Sequence, residues 1–414
     1  MPAENFTNTL YTNDNLFILN GLNSNLVDLI YLDPPFNTNR IFSAPIGSKA
    51  AGTSFKDIWS WADVNEAYLE TVDIQFPGLM DFIVGVGQIH GKAMASYLTY
   101  MAQRMIEMHR ILKDTGSLYL HCDTTAAHYL KILLDRIFGK NNFRNEIVWC
   151  YENKMSAARK QFPRTYDSIF FYSKSAQWNF NGLKIKRETS IKQSKREVRD
   201  GKNMRARDES GNLIYMTSTD KKATDVWTIP YVASTSKERT GYKTQKPLAL
   251  LQRIIKASSN KGDIVMDPFC GCATTCVAAQ QLGRKWLGID IEKQAVQLLI
   301  DRLSDDAGMF TDFIATTKIP NRTDIQVVQP SQSVKERLYK EQNGKCNGCG
   351  AEFEMRSLEI DHIIPKAKGG GDYYENYQLL CGSCNRIKGS RPMEYLLEKI
   401  KRRALSMLKV IFEE

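Results

Sequence analysis

The chain has 414 residues, which at roughly 100–200 residues per domain predicts two to three domains. Hydrophobic residues make up 43% of it and charged residues 25%, and these ordinary values exclude a mostly disordered chain. Every apolar run is shorter than the roughly 18 residues that span a bilayer, so we expect no membrane partner. The first residues lack the basic and apolar segments of a secretory signal, and the cytoplasm is the expected compartment.

The charge is 56 basic against 46 acidic residues, a net +10 that favours a polyanionic partner. Between Lys184 and Arg207, ten Lys and Arg residues stand against three acidic ones. Charge alone leaves two interpretations open, a solvated basic loop or a surface that contacts phosphates. The surrounding stretch, about residues 180–240, is polar and weakly periodic, and we interpret it as a specificity region.

Three predicted strands end at an acidic residue. Residues 27–32 stop at Asp33-Pro34-Pro35-Phe36 because two prolines cannot continue a ladder. Residues 263–266 end at Asp267, a helix is predicted over about 274–282, and the strand 285–289 ends at Asp290. This βαβ order is typical of sites for nucleotide-like cofactors, in which an acid placed like Asp290 accepts hydrogen bonds from both ribose hydroxyls.

The remaining pattern fits an α/β fold. Apolar residues recur at spacings of three and four from Met94 to Leu112, which predicts an amphipathic helix whose methionines pack in the core. Further strands are predicted at 117–121, 146–151 and 168–173, and a helix at 247–258. The composition of residues 316–332 is typical of a linker.

The segment Asp33-Pro34-Pro35-Phe36 has the parts that bind an amino group on a planar base. Its rigid backbone offers the carboxylate of Asp33 and the carbonyl of Pro34 as acceptors, and Phe36 offers a ring for stacking. The alternative is an ordinary proline turn after a strand.

Three further segments complete a family pattern. The chain carries Asn13-Asp14-Asn15-Leu16 near its start, Thr244-Gln245-Lys246-Pro247-Leu248 after the specificity region, and then Phe269-Cys270-Gly271-Cys272-Ala273. Together with the proline segment they resemble, over about residues 8–310, the motifs of the β group of S-adenosylmethionine-dependent DNA amino-methyltransferases. Ala273 stands where a second glycine is usual. The resemblance implies a Rossmann-like methyltransferase sheet with a circularly permuted motif order.

The resemblance also implies residue roles and a substrate. Double-stranded DNA would be the partner, and its target base would be flipped out of the helix for direct methyl transfer. An acidic first residue in the catalytic segment favours N6-adenine over N4-cytosine. The implied catalytic residues are Asp33, Pro34, Pro35 and Phe36, and the implied residues for S-adenosylmethionine are Asp14, Lys246, Asp267, Phe269, Gly271 and Asp290.

Two groups of cysteines need different explanations. Cys270, Cys272 and Cys276 either form a metal site or serve as small buried residues, and we favour packing because no fourth ligand lies nearby. The pairs Cys346/Cys349 and Cys381/Cys384 have the two-residue spacing of a tetrahedral zinc site. Zinc would supply the folding energy that so small a module lacks.

The segment between the cysteine pairs contains Asp361-His362-Ile363-Ile364-Pro365, and Cys384-Asn385-Arg386 follows. Residues 334–392 resemble a zinc-stapled HNH (ββα-metal) endonuclease. The resemblance implies that His362 is the general base, that Asp361 and Asn385 hold Mg²⁺ or Mn²⁺, and that Asn376 braces the hairpin.

The expected organisation is a methyltransferase domain at 1–315, a linker at 316–332, and an HNH nuclease domain with a C-terminal helix at 333–414. We expect an S-adenosylmethionine-dependent adenine methyltransferase fused to a nuclease, as in restriction–modification proteins. Four alternatives remain: an N4-cytosine enzyme, a protein-glutamine or RNA methyltransferase, an HNH module that only binds DNA, and a non-enzymatic DNA-binding regulator. Family members often pair, so a homodimer is possible, although the sequence does not define the oligomer.

Overall fold

A computed structural model describes residues 8–37, 40–44, 48–51, 54–60, 63–64, 72, 75–153, 159–199, 201–307, 312–325, 328–393 and 395–400. The predicted C-terminal helix extends beyond residue 400, outside these ranges. Among the described residues, no helix has both the length and the apolar character of a bilayer span.

Helices and strands alternate over residues 248–316, whereas the described part of residues 143–228 contains seven successive strands. The strands are β1 (Thr9–Thr12), β2 (Val27–Leu32), β3 (Arg40–Ser43), β4 (Ser54–Asp57), β5 (Leu112–Cys122), β6 (Phe143–Cys150), β7 (Tyr166–Ser173), β8 (Lys184–Ser194), β9 (Arg196–Arg199), β10 (Lys202–Arg205), β11 (Tyr215–Lys222), β12 (Val226–Thr228), β13 (Ile264–Asp267), β14 (Lys285–Asp290), β15 (Ile314–Thr316), β16 (Leu358–His362) and β17 (Tyr377–Cys381). The helices are α1 (Asn15–Gly21), α2 (Leu79–His90), α3 (Lys92–Ile111), α4 (Ala127–Leu134), α5 (Leu248–Ser258), α6 (Thr274–Gln281), α7 (Gln294–Ala307), α8 (Gln332–Glu341) and α9 (Gly382–Lys388).

Nine of these strands form one sheet in the order β12-β6-β7-β5-β2-β13-β14-β1-β15. Strand β7 runs antiparallel to both of its neighbours, and the other pairs are parallel. Parallel strands need helical crossovers, and these cover both faces of the sheet. The result is the predicted Rossmann-like α/β architecture.

Each face of the sheet has its own core. Helix α3 lines one core with the predicted methionine stripe, in which Met101, Met105 and Met108 are fully buried. Helices α5 and α6 line the other core, where Leu250 and Ile254 pack beneath the sheet. The two cores fix the sheet and therefore the loops that follow its strands.

The basic stretch forms an arm outside the large sheet. Strands β8 and β11 pair antiparallel, and β9 pairs with β10 farther out. The two ends of the arm meet where Ala223 donates a backbone hydrogen bond to Leu183 (2.9 Å). We call residues 184–222 the basic ribbon.

The C-terminal module is the expected small ββα unit. Strands β16 and β17 pair antiparallel, helix α9 follows, and Leu358, Leu379 and Leu396 lie in a separate small core. The module also contacts α1 of the large domain.

Several contacts join the two parts of the chain near α1. Leu16 packs against Ile364, and the Asn20 amide donates to the Gly369 carbonyl. The segment before the module is also attached, because the backbone N–H of Ser24 donates to Asp324 (2.9 Å). The two parts are therefore docked at this surface.

Candidate active sites

The carboxyl ends of β1, β2, β13 and β14 surround a cavity of about 760 Å³. These strands are parallel neighbours in the sheet, so the residues that follow them meet at one edge. The cavity brings together all the residues that the sequence assigns to the methyltransferase site: Asp14, Asp33, Pro34, Pro35, Phe36, Lys246, Asp267, Phe269, Gly271 and Asp290. Acids outnumber bases in this lining, which suits a cationic ligand.

The turn after β13 is held in a form that needs glycine. Gly271 has φ +52°, and a Cβ there would lie 3.0 Å from Cε1 of Tyr242. Asp290 accepts hydrogen bonds from the backbone N–H groups of Gly271 (2.7 Å) and Glu292 (2.9 Å). Both oxygens of the expected ribose acceptor therefore already have a backbone donor, and Asp290 also shapes the turn.

Ala273, at the position of the usual second glycine, also adopts a left-handed conformation (φ +58°) and is fully buried. An L-residue there costs roughly 1–2 kcal/mol relative to the right-handed form. The turn thus keeps the backbone shape that the family motif normally builds with glycine.

Two buried carboxyls lie at the base of the cavity. Burial raises the pKa of Asp267 to about 7, although Thr275 and the backbone of Phe269 donate hydrogen bonds to it. Burial also raises the pKa of Asp290 to about 6. Because both shifts come from desolvation, a cation bound in the cavity would favour ionisation of both groups.

Helix α1 fixes the cavity wall through Asp14, which the resemblance assigns to the cofactor, and through Asn15 and Arg104, to which the sequence assigned no role. Asp14 caps the helix by accepting from Leu16 N (2.8 Å), and it pairs with Arg104 (2.8 Å). Asn15 donates to the carbonyl of Pro268 (2.8 Å), which ties the helix to the turn after β13. Arg104 lies within the apolar helix α3, so no sequence spacing links it to this site.

The segment Asp33–Phe36 follows β2, as the sequence predicts. Asp33 forms an ion pair with the ammonium group of Lys246 through Oδ2. Its Oδ1 lies 4.0 Å from Nδ1 of His121 and has no hydrogen-bond partner within the part of the chain that the structure describes. Lys246, which the family resemblance assigns to the cofactor, thus contacts the carboxylate that the resemblance assigns to catalysis.

His121 is a further residue that the sequence did not single out. It is fully buried and joins Tyr31 (2.9 Å) and Asp167 (3.2 Å) behind the catalytic segment. The only signal for it was its place at the end of a predicted strand, which a structural histidine shares.

Cys270, Cys272 and Cys276 are all buried, and they pack in the apolar clusters around α6 and the neighbouring turn. The packing interpretation therefore agrees with their surroundings.

The C-terminal module holds its two cysteine pairs together. The sulfur atoms of Cys346, Cys349, Cys381 and Cys384 all lie within 4.8 Å of one another. The backbone N–H of Cys381 donates to the sulfur of Cys346 (3.2 Å). Four convergent thiols are the donor set of structural zinc.

The predicted nuclease base is oriented by a carboxylate. Nε2 of His362 lies 2.9 Å from Asp372, which also accepts from Lys366 (2.8 Å) and Tyr377 (3.0 Å). The hydrogen bond from Lys366 is the largest influence that lowers the pKa of Asp372, to about 2. Asp372 therefore stays ionised and can hold the imidazole in one orientation.

Asn376 braces the loop after His362, as predicted. Its amide accepts from Ile364 N (2.8 Å) and donates to the carbonyls of Ile364 (3.1 Å) and Gly371 (3.0 Å). The loop is consequently tied to the start of β17.

The two expected metal ligands have different partners. Asp361 pairs with the buried Lys388 and accepts from Gln378, both at 2.9 Å. Asn385 donates to Glu359 (2.6 Å), which leaves its amide oxygen as a potential ligand. Both side chains belong to the ββα unit that carries His362.

The fold and the cavity define a DNA methylase. Residues 27–301 match the DNA methylase family, and the chain belongs to it. Residues 346–391 match the HNH endonuclease family. The protein therefore combines a DNA methylase with an HNH endonuclease domain.

Two relatives found by sequence agree with this assignment. The DNA adenine methyltransferase YhdJ of Escherichia coli K12 is 28% identical over 300 residues, which cover 72% of this chain and 83% of the relative. The type II methyltransferase M.HpaI of Haemophilus parainfluenzae is 30% identical, over 52% of this chain and 62% of the relative. Among solved structures, the M1.HpyAVI-SAM complex is 20% identical, with a TM-score of 0.40, over 71% of this chain and 98% of that one.

Proposed function

We propose that the large domain methylates N6 of adenine in double-stranded DNA with S-adenosylmethionine. The observation that carries the proposal is one cavity that holds both the Asp33–Phe36 segment and the glycine turn after β13. The acid of the catalytic segment and the relative named as an adenine methyltransferase favour adenine over cytosine.

Some residues of the cavity would bind the cofactor, and others would bind the target base. Asp14, Phe269, Gly271 and Asp290 would line the cofactor, which supplies an activated methyl group when bound. Asp33 and the carbonyl of Pro34 would accept hydrogen bonds from the amino group of the flipped base, while Pro35 stiffens the segment and Phe36 stacks on the ring. Catalysis is then mainly positioning, because the amino nitrogen is aligned for direct displacement.

The basic ribbon would bind DNA. Its paired strands carry the local excess of basic residues, and a two-stranded ribbon fits a major groove. In this proposal the methyltransferase domain spans residues 1–315, the linker 316–332 and the HNH nuclease domain 333–414.

The C-terminal module would act as a metal-dependent nuclease stapled by zinc. The four cysteines would hold Zn²⁺, which stabilises the small core. Asp361 and Asn385 would hold Mg²⁺ or Mn²⁺, and His362 would accept a proton from the attacking water while Asp372 orients it. The combination fits a restriction–modification protein.

Mass spectrometry of nucleosides tests the methylation proposal. Unmethylated DNA is incubated with the pure protein and S-adenosylmethionine, and N6-methyladenine is the expected product. N4-methylcytosine would retain the class of reaction but overturn the target base. Neither product, on DNA of diverse sequence, would contradict the proposed activity.

A further inference from the structure

Lys246 occupies the place that a target base would need. Its ammonium group pairs with Oδ2 of Asp33 and lies 5.6 Å from the centre of the Phe36 ring. These are the acceptor and the stacking face that the proposed function assigns to the base. A lysine ammonium can stand there because it is both a hydrogen-bond donor and a cation that is attracted to a ring face.

The other oxygen of Asp33 is not an alternative acceptor for an incoming base. Oδ1 is buried from solvent and faces His121 at 4.0 Å. The oxygen that a base can reach is therefore the one that Lys246 already holds. An amino group that binds Asp33 must displace the ammonium group first.

The backbone around Lys246 is fixed, so the side chain is the part that can move. Gln245 accepts from the backbone N–H of Thr240 (2.8 Å) and donates to the carbonyl of Glu238 (2.6 Å). Pro247 precedes α5, and Glu238 accepts from the backbone N–H of Leu248 (3.1 Å). A flexible four-carbon chain thus extends from a rigid support.

We propose that Lys246 is a displaceable placeholder for the target base. In the protein without DNA, its ammonium group keeps the catalytic carboxylate paired and oriented. The flipped base then replaces it at Asp33 and at the face of Phe36. Lys246 is accordingly a positioning residue, and this inference rests on the methyl-transfer function proposed above.

The test compares Lys246→Met and Lys246→Arg with the wild type, using methyl transfer to unmethylated DNA and calorimetry with S-adenosylmethionine. The methionine removes the competing cation, so the KM for DNA should fall several-fold. An arginine can form a bidentate pair with the carboxylate of Asp33, so the KM for DNA should rise. Affinity for S-adenosylmethionine should be unchanged in both variants.

Lys243→Met is the matched control, since it removes a lysine of the same segment that is exposed. Loss of this positive charge should weaken the attraction of DNA and raise the KM for DNA of Lys243→Met, which is opposite to the effect expected for Lys246→Met. A Lys246→Met variant that raises the KM for DNA, or that loses affinity for S-adenosylmethionine with an unchanged KM, overturns the placeholder. Melting curves show whether Lys246→Met is misfolded. In that case the change in the KM for DNA of Lys246→Arg still tests the proposal. An inactive wild type would instead contradict the proposed function.

Discussion

The glycine turn after β13 depends on one backbone conformation and one close contact. Gly271→Ala places a Cβ in the left-handed region and against the ring of Tyr242. We expect the free energy of unfolding to fall by about 1–2 kcal/mol and the affinity for S-adenosylmethionine to weaken. Denaturant unfolding and calorimetry measure the two effects.

Gly262→Ala is the control for that substitution. Gly262 also has a positive φ (+87°), but a Cβ there would meet no atom within 4 Å. It should cost stability without changing cofactor binding. Equal cofactor binding in both variants would show that the contact with Tyr242 does not shape the site.

The buried acids predict how stability depends on pH. Burial raises the pKa of Asp267 to about 7 and that of Asp290 to about 6, above the roughly 4 of an unfolded aspartate. Between these values the folded protein binds more protons than the unfolded chain, so stability falls as pH rises through this window. The melting temperature of the ligand-free protein should therefore be lower at pH 8 than at pH 5.

Asp267→Asn should flatten this pH profile, because it removes one of the buried carboxyls whose pKa is raised. Asp225→Asn, which changes an exposed acid, should leave the profile as it is in the wild type. A profile that stays equally steep in Asp267→Asn would rule out Asp267 as its source.

The sequence identified the residues of the motifs, but it missed the residues elsewhere in the chain that contact them and hold them in place. Asp33, Gly271 and Asp290 were found because motif residues follow strands at short spacing. Arg104 and His121 were missed because their roles arise from contacts across the fold. The contact between Lys246 and Asp33 was also missed, since no pattern shows that a residue 213 positions away lies beside Lys246.

Among the elements, the basic ribbon is the one that can be removed cleanly. Its ends meet at Leu183 and Ala223, so an Asn-Gly turn can replace residues 184–222. We expect this deletion to retain binding of S-adenosylmethionine and to abolish methylation of DNA. Calorimetry and methyl incorporation measure these outcomes, and undiminished methylation would exclude the ribbon from DNA recognition.

The C-terminal module should unfold separately from the large sheet. Its core is small, so removal of the metal with a chelator should expose residues 346–391 to protease while the sheet stays protected. Cys349→Ser should have the same effect, and Cys150→Ser, outside the cluster, should not. Mass spectrometry of the fragments locates the cuts. A module that stays resistant after chelation would show that zinc does not stabilise it.

Helices and strands could be predicted from the sequence where their apolar residues recur in a regular pattern. The strand before Asp33 has the predicted bounds, and the methionine stripe marked the helix that became Lys92–Ile111. The ribbon strands were not predicted, because exposed strands lack the apolar alternation that a buried face imposes.

For the whole molecule, the two activities should be separable. His362→Ala removes the proposed base of the nuclease without touching the methylase cavity. DNA cutting should stop, while methylation and DNA affinity stay unchanged, as gel assays and methyl incorporation would show. His128→Ala, which changes an exposed histidine elsewhere, serves as the control. Persistent cutting by the His362 variant would refute the proposed role.

The contacts at α1 have a consequence for where DNA would be cut. Leu16 packs against Ile364, two residues after His362, and Asp14, which caps the same helix, borders the methylase cavity. If the module stays docked in this way, the folded protein fixes the distance between the methylated base and the cleaved phosphate. A flexible linker would leave that distance variable. Mapped breaks should therefore cluster at one offset from the methylated base.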